Sequence, residues 1–231
     1  MPIAIIGLDA DDTLWHNETF FRITQAQFAS LLAPYADEAD IATHLGEVER
    51  RNLGVYGYGV KGFTLSMLET ALQISEGRVS TSVLSQILDA GREMMRHPVQ
   101  PLPGVEGALE ALAAHARLVL VSKGDLFHQE SKLAASGLGH HFAAVEIVSE
   151  KTADTYRTVF ARHGASPAYA LMAGNSVRSD VVPALAAGSY AALIPYPLVW
   201  EHEAALAPHD HPRFRELEAL ADLVTWVQEL A

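Results

Sequence analysis

Ile3-Ala4-Ile5-Ile6-Gly7-Leu8 runs directly into Asp9-Ala10-Asp11-Asp12-Thr13. A short apolar run of this kind predicts a buried strand, and three carboxylates arrive where it ends. Side chains alternate faces along a strand, so Asp9 and Asp11 are expected on one face with Ala10 and Asp12 on the other. Two carboxylates that close repel each other. Either a cation sits between them or one of them holds a proton. The plainer alternative is a solvated acidic loop.

Outward from this stretch the pattern changes twice. From about Glu18 to His97 apolar residues recur at three- and four-residue spacing, through Phe21, Ala26, Phe28, Leu31 and Leu32, again over Phe63–Ile74, and again over Val83–Met95. That periodicity predicts several helices and no strand. Pro98-Val99-Gln100-Pro101-Leu102-Pro103-Gly104 then interrupts, as a connection would. Beyond it helices and strands alternate. Strands are predicted at Leu118–Val121, Ala144–Val148, Tyr169–Ala173 and Tyr190–Ile194, and helices near 105–115, from Asp125 onward, and near 153–163 and 181–187. A closing helix is expected over Phe214–Leu230. Strands separated by helices indicate a parallel α/β sheet covered on both faces. The first strand is expected to join it, so that residues 1–17 and 98–231 form the α/β core and residues 18–97 an inserted helical domain.

The 231 residues suffice for one large domain or one domain with an insertion. The formal net charge of −12 lacks the cationic footprint that binding a nucleic-acid backbone requires. With no cysteine, disulfides and thiolate metal sites are excluded. The first residues lack a signal peptide's basic start, and the longest apolar stretch, Ala108–Val121, is broken by Glu110, His115 and Arg117. A cytoplasmic protein without membrane or nucleic-acid partners is expected, as monomer or homodimer.

In open parallel sheets, ligands sit beyond the carboxyl ends of the strands. Four predicted strands end in chemically distinct polar groups: Asp9-Ala10-Asp11; Ser122-Lys123-Gly124; Ser149-Glu150-Lys151; and Gly174-Asn175-Ser176, with Ser179 and Asp180 just beyond. With these four in this order, the chain resembles the haloacid dehalogenase (HAD) superfamily, in its phosphatase branch. The family's Asp-x-Asp-x-Thr is matched by Asp9, Asp11 and Thr13, its strand-ending Ser or Thr by Ser122, and its lysine by Lys151. Its Gly-Asp-x-x-x-(x)-Asp is matched by Gly174, Asn175 and Asp180, with Asn in place of the first Asp. The helical insertion resembles the cap domain of the subfamily that carries its cap between the first two motifs. The resemblance implies a HAD-like, Rossmannoid sheet flanked by helices with an all-helical cap.

It also implies a chemistry. Asp9 would attack phosphorus and form an aspartyl-phosphate, while Asp11 would protonate the leaving oxygen and then deprotonate water. Crowding against Asp9 is expected to raise the pKa of Asp11. Mg²⁺ would be held by Asp9, the main-chain carbonyl of Asp11 and Asn175, with Asp180 close by. Ser122, Lys151 and main-chain N–H groups around Ala10, Asp11, Lys123 and Gly124 would hold the phosphoryl oxygens of a small phosphorylated substrate. Thr13 is expected to fix the loop. Asn175 removes one negative charge and is expected to weaken metal binding. Dehalogenases lack an acid at the position of Asp11, because a departing halide needs no proton. A phosphomutase, a sugar-phosphate or nucleotide specialist, and a non-catalytic ligand-binding relative are the alternatives.

Other signals are weaker. Gly57-Tyr58-Gly59-Val60-Lys61-Gly62 fits a dinucleotide-binding string but lacks the preceding strand and following acid that reading needs. It is expected to be a turn between helices, where Tyr56, Tyr58 and Lys61 either contact the leaving group or simply form a loop. Lys123 either meets substrate or faces solvent. His202, His209 and His211 fit no zinc spacing and are expected in a solvated loop. Asp12 is expected to accept hydrogen bonds from its own loop. Met67, Leu68, Met94 and Met95 are expected in helix cores, and Trp15 with Phe20-Phe21 at the hinge of the insertion.

Overall fold

The computed structural model describes residues 2–200 and 203–230. In chain order the elements begin with β1 (Ile5–Leu8), α1 (Glu18–Leu32), α2 (Glu38–Tyr56), α3 (Val60–Ile74), α4 (Thr81–Arg96) and α5 (Val105–Ala113). There follow β2 (Arg117–Lys123), α6 (Leu126–Ser136), β3 (Ala144–Val148), α7 (Ala153–Arg162) and β4 (Ala170–Gly174). Then come α8 (Val182–Ala187), β5 (Tyr190–Leu193), β6 (Phe214–Glu216) and α9 (Asp222–Glu229). The chain divides into two compact units. One comprises the residues up to Glu18, Val99–Lys123 and those from Gln129 onward; the other comprises Thr19–Pro98 with Gly124–His128.

The first unit is built on a six-stranded sheet in the order β3-β2-β1-β4-β5-β6, parallel at every pairing. Period-two alternation divides its apolar residues between two faces. Ile6, Leu8, Leu118, Leu120, Leu171 and Ala173 pack with Leu109 and Leu112 of α5 and Leu223 and Trp226 of α9. Ile5, Val119, Val121, Met172 and Ala191 pack with Tyr156 and Phe160 of α7 and Ala184 of α8. Gly7 in the central strand is there for closeness: a methyl group would sit 2.9 Å from Met172 Sδ.

Two expectations are corrected here. Ladder pairing of β1 ends at Leu8, so strand alternation does not extend through Asp11, which instead bridges to Trp15 as the chain turns. Residues 214–216 are not helical. They form β6, parallel to β5, and the last helix starts only at Asp222. Phe214-Arg215-Glu216 pairs on one side only and is mostly exposed, so it needs no apolar run and gave none to read. Trp15 packs in the sheet unit's core and bridges to Pro101 of the proline-rich connecting segment.

The second unit is helical. Phe28 and Leu32 of α1, Ile41 and Leu45 of α2, Phe63 and Met67 of α3 and Ile87 and Met94 of α4 form its core. Leu68 and Met95 pack partly buried against it, and Phe21 lies against Phe63, ring centroids 5.0 Å apart. Asp37 opens α2 by accepting the Asp40 N–H at 2.9 Å, and Ser80 opens α4 by accepting from Val83 N–H at 3.2 Å. Gly57 and Gly59 adopt φ of 71° and 104° between α2 and α3, the turn that the glycine string predicts. Among the described residues, no helix is long and apolar enough to cross a membrane. His209 and His211 are exposed, and His202 lies outside the described residues.

Candidate active site

The strand order reverses beside β1: the chain builds outward through β2 and β3, then returns to add β4 on the other side. A crevice at the carboxyl ends of the strands is the expected ligand position at such a switch, and Asp9, directly after β1, stands there. Lys151, in the loop after β3, bonds Asp9 Oδ1 and, at 2.7 Å, Asp180 Oδ1. All three side chains are buried. Asp180 Oδ2 accepts the Ser176 N–H at 3.0 Å, so Asp180 anchors both the lysine and the loop after β4. Burial raises the Asp9 carboxyl to about 7 against the pull of Lys151, and the Asp180 and Asp11 charges add to the rise. Burial acts to lower the Lys151 ammonium, but the Asp180 and Asp9 charges outweigh it and hold that group above its ordinary value.

Thr13 reaches Asp9 Oδ2 at 3.3 Å and Asn175 Oδ1 at 3.5 Å. These two oxygens, one from β1's end and one from β4's, therefore converge on a single hydroxyl, as the loop-fixing expectation for Thr13 implies. Asp12 adopts φ 60°, a left-handed conformation that Asp tolerates better than most residues. Its carboxylate accepts from Asn17 N at 2.8 Å and Glu18 N at 3.0 Å, closing the loop at the start of α1. Burial nevertheless pushes that carboxyl up to about 7.

Asp11 differs from expectation. Trp15 Nε1 donates to its Oδ1 at 2.7 Å, Lys132 Nζ sits at 2.5 Å from the same atom, and Gln129 Nε2 donates to Oδ2 at 3.0 Å. Burial raises its pKa, but the Lys132 charge and these donors outweigh burial and hold it below the ordinary carboxylate value. Of the two carboxyls it is therefore Asp9 that rises, not Asp11. Ser122, 1 % exposed near the end of β2, accepts from the same Gln129 nitrogen at 2.6 Å. Asp11 and Ser122 are thus joined through one side chain.

Lys123 neither faces solvent nor points at a free anion position. Its ammonium pairs with Glu203 at 2.6 Å and bonds Ser179 Oγ at 2.9 Å, with Glu150 at 3.4 Å. Glu203 also accepts from Ser176 and Ser179, each at 2.5 Å. Burial raises the Glu203 carboxyl, but Lys123 and the two hydroxyls win and hold it low. Gly124 follows β2 at φ 132°. Tyr58 and Lys61 belong to the helical unit, where Lys61 pairs with Asp125 at 2.8 Å.

Gln129, Lys132 and Glu203 were absent from the sequence reading. Gln129 and Lys132 lie three apart, on one face of α6, in a helix that opens just after Ser122; that spacing was the available signal. Glu203 lies outside the named helices and strands and gave none. A magnesium ion fits the oxygens that surround Thr13. Asp9 Oδ2 and Asn175 Oδ1 are hard donors, and three carboxylates, Asp9, Asp11 and Asp180, crowd a region where Lys151 and Lys132 supply the cations. Asp180 is the poorer direct donor: it is fully buried, its Oδ1 accepts from both Lys151 and Tyr156, and its Oδ2 accepts the Ser176 N–H. Among the described residues no group of three His, Cys, Asp or Glu side chains converges as a metal cage, so an ion here would lean on the Asn175 amide and the main chain.

The family model for haloacid dehalogenase-like hydrolases matches residues 3–188. A haloacid dehalogenase-like family hydrolase from Xanthomonas campestris is 41 % identical over 99 % of this chain and 92 % of its own, with a TM-score of 0.90. A HAD-hydrolase from Bacillus subtilis, solved bound to magnesium, is 17 % identical over 98 % of this chain and 99 % of its own, at 0.67. An L-2-haloacid dehalogenase from Xanthobacter autotrophicus is 19 % identical over 99 % of this chain and 100 % of its own, at 0.62. The last two likenesses speak for the fold alone. No curated protein matches the chain. The motif order, the sheet with its buried Asp9–Lys151–Asp180 cluster, and the family match over most of the length place this chain among the haloacid dehalogenase-like hydrolases.

Proposed function

We propose that this hydrolase is a magnesium-dependent phosphomonoesterase acting on a small phosphorylated metabolite. The observation that carries the reading is Asp11. A carboxylate two residues beyond the nucleophile, held by Trp15, Lys132 and Gln129 and tied to Ser122, is machinery for moving a proton next to an anion-binding hydroxyl. Carbon–halogen cleavage releases halide without a proton and has no use for it.

Asp9 is the nucleophile, and forming an aspartyl-phosphate divides a very slow hydrolysis into two easier steps. Lys151 stands beside it to balance the charge of an incoming phosphoryl group, and Ser122 with the main-chain N–H groups of Ala10 and Asp11 would hold the oxygens. Held below the ordinary carboxylate value, Asp11 is ionised near neutral pH. It therefore relays the monoanionic ester's own proton to the leaving oxygen, takes one from the water that hydrolyses the intermediate, and gives it up to solvent as phosphate departs. Bound magnesium, held by Asp9, Asn175 and the Asp11 carbonyl, would offset repulsion between anionic nucleophile and anionic substrate.

The test is phosphate release from a panel of sugar, nucleotide and short-chain acid phosphates, with magnesium and with EDTA. Release that depends on magnesium and stops with EDTA is expected. Silence on every ester would overturn the proposal.

A further inference from the structure

Gln129 is 3 % exposed, yet the two ends of its amide are treated very differently. Nε2 lies 3.0 Å from Asp11 Oδ2, 2.6 Å from Ser122 Oγ and 2.9 Å from the Lys123 main-chain oxygen. The buried Oε1 has no hydrogen-bond partner. Exchanging the two ends would set an acceptor against a carboxylate and a carbonyl, so the surrounding acceptors fix the NH₂ group where it is. A buried glutamine in a folded protein generally has both ends paired. This one gives up its oxygen to keep its nitrogen between two strand-end groups.

The consequence for Ser122 is directional. Its oxygen already accepts from Gln129, so its own hydrogen must point elsewhere, and the Lys123 carbonyl it reaches lies 3.4 Å away. That hydrogen is poised for a better acceptor, such as a phosphoryl oxygen. Lys132, one turn along the same helix, holds the other Asp11 oxygen at 2.5 Å. We infer that Gln129 is a positioning residue, aiming the Asp11 carboxylate and the Ser122 hydroxyl at one phosphoryl group through a single amide. The inference rests on the phosphomonoesterase reading and extends it: proton handling and anion binding are set together by a residue outside the four motifs.

The test uses the full chain carrying Gln129→Met, Gln129→Glu, Ser122→Ala or Gln129→Met with Ser122→Ala, each checked for folding by thermal melting. Two esters are compared: p-nitrophenyl phosphate, whose phenolate leaves with little protonation, and an alkyl phosphate, whose alkoxide needs a proton. Inorganic phosphate binding is measured by calorimetry. Gln129→Met is expected to lower kcat on the alkyl phosphate by about 10–100-fold and on p-nitrophenyl phosphate by less than about fivefold. Its phosphate Kd is expected to rise about tenfold, and adding Ser122→Ala should weaken binding little further. Gln129→Glu, equal in size but bringing a carboxylate against Asp11, should be worse on both esters, and it carries the comparison if the methionine variant does not fold. Equal kcat losses on both esters, unchanged phosphate affinity, or full additivity with Ser122→Ala would each overturn the inference. Wild-type protein that hydrolyses neither ester nor any panel member sinks the phosphatase reading instead. The phosphate affinities then decide alone, and a Gln129→Met value equal to wild type overturns the positioning role.

Discussion

Asp9 and Asp180 share the Lys151 ammonium in a site where every partner is buried. Asp9→Asn would leave Lys151 its bond to Asp180, so the variant should fold while losing phosphate release by about 10⁴-fold or more, the scale seen when a nucleophile is removed. Retained turnover would show that another group attacks. Asn175 offers the second prediction at this scale. Ligand charge sets much of the affinity for hard cations, so Asn175→Asp should lower the magnesium concentration for half-maximal activity by about tenfold. A magnesium titration of activity reads this directly. If that concentration is unchanged or higher, position 175 does not face the ion.

At the scale of elements, what matters is how strand ends and the loops after them are tied together. Gly174 closes β4, and a methyl group on it would overlap the Asp180 carboxylate. Gly174→Ala should therefore push Asp180 off Lys151 and the Ser176 N–H, at a cost of about 1–3 kcal/mol in denaturant unfolding, with activity falling more than stability alone explains. Glu203 fastens its loop to β2 through Lys123 and to the segment after β4 through Ser176 and Ser179. Its carboxyl sits below the ordinary 4.5 in the folded chain. That contribution is present at pH above about 4.5 and is lost as pH falls through the lower folded value. Glu203→Gln should cost about 1–3 kcal/mol near neutrality. The gap from wild type should close in acid, as melts across pH 3–7 would show. A gap that stays constant would mean the charge is not what holds the loop.

Across the whole molecule, most of the sheet was readable because each central strand is buried on both faces and so must be continuously apolar. β1, β2, β4 and β5 were placed to within two or so residues, while β3, a partly buried edge strand, was placed to the residue by its β-branched Val145, Ile147 and Val148. Helices of the insertion were readable from periodicity for the same reason: each buries one stripe. The polar groups at the ends of β1, β2 and β4 were readable because chain topology alone delivers them to one edge. The unread parts obey no period. β6 is three residues paired on one side, Glu203 lies outside the named helices and strands, and Gln129 and Lys132 look like an ordinary polar face of α6 until Asp11 is seen against them. The setting of Asp11 below Asp9 likewise came from those two side chains, which adjacency in sequence could not disclose. That short β6 has a consequence for the protein in concentrated solution. It presents exposed Arg215 and Glu216 at one margin of the sheet, while at the opposite margin Glu146 of β3 is engaged by Arg162 and His163. A second molecule seeking to zip its backbone onto either rim would meet charged side chains at both, which works against runaway stacking of sheet on sheet.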